Sequence, residues 1–148
     1  MSAAGLIRYA AVFLAVALGV AFLVSYLNTR MDGALGSSAQ LMVPAMIAAV
    51  IEGSQFARRH KRKPDSREAW NFAWVTMALA IVLNIALAYG GGALVPEFAR
   101  LAIAPVGSKQ FLILLGLYAG GYLLCNRFFI AIGAGNQLGL MRSRGEIE

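Results

Sequence analysis

Two ionisable residues interrupt long apolar runs in this chain: Glu52, between Ile51 and Gly53, and Arg127, between Asn126 and Phe128. Charge inside a bilayer is expensive, so each is a candidate functional residue. An acid and a base at that depth can hold a polar ligand, pass a proton, or neutralise each other across two helices. Glu52 lies six residues before the basic run that starts at Arg58. At 1.5 Å per helical residue that is roughly 9 Å. Arg127 lies near the same end of a later run, so an ion pair between Glu52 and Arg127 is predicted. Gln55, one turn after Glu52, Ser54, Asn71 and Asn126 fall at similar depth. We therefore expect an intramembrane polar cluster of Glu52, Gln55, Asn71, Asn126 and Arg127. Hydrogen bonds that fix helix register are its plainest role. A ligand or proton site is the alternative, as is separate snorkelling of the two charges to water.

Other chemistry finds little support. His60 is the single histidine and Cys125 the single cysteine, which makes no zinc or haem ligand set and no Cys-His nucleophile. Neither a Gly-x-x-x-x-Gly-Lys-Ser/Thr loop nor a Gly-x-Gly-x-x-Gly fingerprint occurs. The expectation is no enzyme, no cofactor and no metal.

The elements that must position the cluster follow from hydropathy. The chain has 148 residues, 59% hydrophobic and 14% charged, with a mean hydropathy of +0.68. Soluble domains run near 45–50% apolar and about 25% charged. A single all-α membrane domain, 1–148, is expected. Its bundle has four spans: Tyr9 to Leu27, Gln40 to Ala57, Ala69 to Gly90 and Lys109 to Ile132. The first is too long for a signal-peptide core and is read as retained. Ser37 and Gln40 form a capping box for the second, with Pro44 in its first turns. Asp65 and Glu68 start the third, which Gly90, Gly91 and Gly92 end, and Ser108 caps the fourth. In the outer loop 91–108, Leu94, Phe98 and Leu101 share a face, which suggests a short interfacial helix, with an irregular loop as the alternative. The tail 133–148 has three glycines before Met141 and is expected to fray.

Charge sets the orientation. Net charge is +6, and six of thirteen basic residues lie in the loop 58–68: Arg58, Arg59, Lys61, Arg62, Lys63 and Arg67. With Arg8, Arg142 and Arg144 they make nine on one side, against Arg30, Arg100 and Lys109 on the other. The positive-inside rule then puts both ends and the basic loop in the cytoplasm. The basic run marks topology, and it can also contact anionic lipid. Its placement between apolar runs argues against nucleic acid. Trp70, Trp74, Tyr26 and Tyr89 suit an aromatic belt at the two membrane faces. Asn84 lies deep in the third span, where a lone asparagine bonds across helices. Small residues recur four apart at Ala11, Ala15 and Gly19, at Ala45, Ala49 and Gly53, and at Gly116 and Gly120.

The stretch from Glu52 to Trp74 resembles a family of small uncharacterised bacterial inner-membrane proteins with four spans. The resemblance rests on Phe56 and Arg58 at the end of the second helix, Arg62-Lys63-Pro64, and Glu68 opening the third. It implies an inner-membrane location and this architecture, and no mechanism. The expected role is structural or accessory, in a homo-oligomer or a larger membrane complex. Proton-coupled transport through Glu52 and anionic-lipid binding are the alternatives.

Overall fold

Asp65 and Glu68 show how local chemistry sets this fold. In a computed structural model of the chain, the Asp65 side chain accepts from the Glu68 backbone N–H at 2.8 Å, and Glu68 accepts from the Asp65 N–H at 2.9 Å. This reciprocal cap satisfies two N–H groups that a helix start leaves free. The structure describes residues 3–30, 38–93, 98, 102 and 104–147, with the backbone alone at 38–40 and 93.

Four helices result: α1 (Ala3–Asn28), α2 (Ser38–His60), α3 (Ser66–Gly90) and α4 (Lys109–Ser143). They run alternately up and down. A 3-10 turn, Gly91–Ala93, follows α3 where three glycines were expected to end it. Ser108 caps α4 by accepting from the Phe111 N–H at 3.1 Å. Ser37 of the expected second cap lies outside the described residues. So do Leu94 and Leu101 of the expected interfacial helix, while Phe98 is helical and packs against Ala21 and Leu87.

Three helices, α1, α3 and α4, are long and apolar enough to cross a membrane. The expected fourth span, α2, is not among them. Its lower hydropathy has a physical basis in its position. It packs most heavily on α4 and then on α1. Its inner face of Ala45, Ala48, Ala49, Glu52, Gly53 and Ala57 is buried against protein, so it exposes less apolar surface than its neighbours. At 23 residues it is about 34 Å long.

The core gathers Tyr9 and Phe13 of α1, the alanines of α2, Phe72 of α3, and Tyr122 and Ile130 of α4. The Tyr9 and Phe72 rings meet edge to face, 6.0 Å apart.

The expectation of a frayed tail is corrected. Helix α4 continues to Ser143, for 35 residues or about 52 Å. Gly133, Ala134, Gln137, Leu138 and Met141 are buried along the extension. Gly133, one of the three glycines of that tail, faces α2 so closely that a Cβ on it would overlap the Val50 carbonyl. A Cβ on Gly53 would likewise overlap the Ile130 carbonyl. Gly133 is therefore a packing residue. Two backbones touch there with nothing between them, and that contact outweighs the low helix propensity of glycine.

Candidate functional site: a polar cleft at the basic end of the bundle

Helix α2 presents residues 52, 55, 56, 59 and 60 on one side, a spacing of three, one, three and one that follows the helical turn. On α3, residues 68, 71 and 72 do the same. These faces meet the start of α1 around a cleft of about 380 Å³, lined by Gly5, Arg8, Glu52, Gln55, Arg59 and Asn71 among others. The cleft occupies a natural gap, since α1 packs much less against α3 than against α2.

At the inner wall, Arg8 donates from Nε to Glu52 Oε1 at 2.5 Å and from Nη2 to Oε2 at 2.7 Å. Both carboxylate oxygens are thereby engaged in the bidentate geometry that the guanidinium fork favours. Glu52 is 8% exposed, so this pair is largely shielded from solvent on its acidic side. The predicted partner, Arg127, is elsewhere. Its guanidinium lies 5.7 Å from the Trp70 ring centroid, and its Nε is buried with no hydrogen-bond partner. The aromatic face takes up part of that charge. The correction concerns helix rotation. Depth alone allows either arginine, and the packing of α1 on α2 selects Arg8.

The predicted cluster divides accordingly. Glu52, Gln55 and Asn71 line the cleft, whereas Asn126 and Arg127 do not. Asn126 is fully buried and accepts from the Tyr9 hydroxyl at 3.0 Å. Its amide nitrogen has no partner. Asn84 makes the cross-helix bond expected of it, donating to Tyr122 Oη at 2.5 Å. Tyr122 in turn donates to the Leu41 carbonyl at 2.8 Å, three residues before Pro44. Sequence reasoning missed Arg8, Tyr9 and Tyr122 as tie residues. Arg8 had one usable signal, its place next to an apolar run at the same end as Glu52.

The basic residues also separate. Arg58 and Arg67 are exposed. Arg62 grips Glu68 with two bonds of 2.7 Å, which also raises the pKa of Arg62 above its ordinary value. Phe56 has His60 stacked 4.3 Å away and Arg62 at 5.3 Å. Thus Phe56, Arg62 and Glu68 build one local structure, the tight α2–α3 hairpin. The Lys63 side chain runs to α4 beside Gly135. Of the six loop cations, Arg59 alone lines the cleft.

Comparisons with protein-family models, curated proteins and solved structures give no match for this chain. Its reading rests on the geometry above. Among the described residues, no group of three or more His, Cys, Asp or Glu side chains could hold a metal ion.

Proposed function

We propose that this chain is a four-span inner-membrane protein of bacterial type with a structural or accessory role and no catalysis. One observation carries the reading: the polar groups at membrane depth are spent mostly on ties between helices. Arg8–Glu52 joins α1 to α2, Tyr9–Asn126 joins α1 to α4, and Asn84–Tyr122–Leu41 joins α3, α4 and α2. Such bonds fix register and rotation in a bundle. The hairpin built by Phe56, Arg62 and Glu68 supports kinship with the small four-span family, and α2 is long enough to be the fourth span.

The role includes association with a second copy or a larger complex, alongside contact with membrane lipids. The three small-residue ridges support this unequally. Ala45, Ala49 and Gly53 are consumed inside the bundle. Ala11, Ala15 and Gly19 on α1, and Gly116 and Gly120 on α4, point outward. A Cβ on Gly19, Gly116 or Gly120 would meet nothing within 4 Å. These faces suit close helix approach by a neighbour. Protein extracted in mild detergent is expected to run larger than a monomer and to carry its partner into mass spectrometry. A lone monomer under all gentle conditions would overturn this reading.

In this proposal the basic end faces the cytoplasm, following the positive-inside bias. In a Cys125→Ala background, Arg58→Cys and Arg144→Cys should resist a membrane-impermeant thiol reagent added outside intact cells, while Val106→Cys should react. The opposite pattern reverses the orientation.

A second reading, proton-coupled transport through Glu52, is favoured by the open cleft beside that residue. The bidentate Arg8 contact opposes it, because an acid committed on both oxygens must first be released to exchange protons.

A further inference from the structure

The cleft contains groups that the helix ties leave over. Two carboxylates face it, and both are neutralised: Glu52 by Arg8, and Glu68 by Arg62. Four other polar side chains face it too: Arg59, Gln55, Asn71 and His60, whose Nδ1 lies 3.1 Å from the Phe56 carbonyl. Among the described residues Arg59, Gln55 and Asn71 make no hydrogen bond or ion pair with the rest of the protein. Phe56 and Phe72 supply apolar wall. The uncommitted set is one guanidinium and two carboxamides beside aromatic carbon, with no uncommitted acid.

That chemistry suits an oxyanion carried on an apolar body. A guanidinium matches phosphate oxygens with paired donors, and carboxamide N–H groups can complete the shell. A cleft of about 380 Å³ falls within the usual range for small-molecule sites. The six cations between Arg58 and Arg67 raise the local potential and favour an anion over a cation.

We propose that this cleft binds a phosphate ester, with Arg59, Gln55 and Asn71 on its oxygens and Phe56 and Phe72 against its apolar part. Two sources share that chemistry: the headgroup of a phospholipid and a soluble phosphate ester. The inference goes beyond the structural role and takes from the Arg8–Glu52 tie only the neutralisation of Glu52. Its failure would therefore leave that role standing.

The test uses the full chain in mild detergent and native mass spectrometry. The probes are dioleoylphosphatidylglycerol, the uncharged dioleoylglycerol, and glycerol 3-phosphate. Wild-type protein is expected to retain a phosphate-bearing probe and not dioleoylglycerol. Arg59→Gln should weaken retention about fivefold, the scale of one basic contact near a charged surface. Asn71→Leu should weaken it as well. Arg58→Gln, which removes a neighbouring charge outside the cleft, should weaken it by much less than Arg59→Gln. Retention of the lipid but not of glycerol 3-phosphate assigns a headgroup, and the reverse assigns a soluble ester. Equal losses for Arg58→Gln and Arg59→Gln would reduce the effect to diffuse surface charge and overturn the site. So would retention of neither phosphate probe, or retention of dioleoylglycerol as strong as that of the phospholipid. Arg59 and Asn71 are exposed, so melting temperatures near wild type are expected and would confirm that the variants are folded.

Discussion

Alanine at Gly133 is expected to lower the stability of the bundle sharply. The new Cβ would overlap the Val50 carbonyl of α2, which is backbone and cannot rotate away. Alanine at Gly53 meets the Ile130 carbonyl of α4 in the same manner. Relief requires α2 and α4 to separate, and theirs is the most extensive helix contact in the protein. Overpacking of this kind costs about 1–3 kcal/mol and occasionally more. The upper part of that range applies here, because both obstacles are main chain. Gly139 is the internal control. It lies on the same helix, and a Cβ there meets nothing within 4 Å. Gly139→Ala should stabilise α4 by up to about 1 kcal/mol through helix propensity. Thermal unfolding in mild detergent separates the cases. If Gly133→Ala melts as high as Gly139→Ala, the close contact between backbones does not exist.

The second large effect concerns the Arg8–Glu52 pair, and it is unequal between the partners. The Arg8 side chain is 30% exposed and that of Glu52 only 9%. Arg8→Ala strands a nearly buried acid that meets water only through the cleft, and the loss should fall in the lower part of roughly 3–5 kcal/mol. Glu52→Gln strands an arginine whose long side chain can reach the interface. Its cost should be smaller, about 1–3 kcal/mol. Replacing both, as Arg8→Met with Glu52→Leu, should restore most of the melting temperature, because a buried pair exchanged for apolar packing is often neutral or better. Equal melting of wild type and both single variants would mean that the pair holds nothing together. Glu52 would then be free for other chemistry, and the transport reading would gain.

Much of the architecture was legible because it follows from local rules. Asp65, Glu68 and Ser108 announced helix starts through capping, and Gly90 to Gly92 announced an end. The depth of Glu52, Gln55 and Asn71 followed from their distance to the basic run, and they do line one cleft. The partner of Glu52 was not legible. Depth depends on residue number along one helix, whereas partnership depends on how two helices are rotated, and that is settled by packing far from the pair. Gly133 misled for a related reason. A glycine reads as a break until an opposing backbone is known to fill its place. Hydropathy likewise read α2 as another span, although its interior position leaves it less apolar than α1, α3 and α4.

The Arg8–Glu52 contact also imposes an order in time. The two residues are 44 positions apart in the chain. Translation at about 5–20 residues per second makes Glu52 roughly 2–9 s after Arg8. During that interval the first helix has its cation and no anion to meet it. Until then Arg8 has only solvent to meet it, and the α1–α2 contact cannot close. The arrival of α2 ends the wait and lets α1 settle against it. Bringing the acid nearer in the chain would shorten that wait, so the α1–α2 connection acts as a delay in assembly as well as a link.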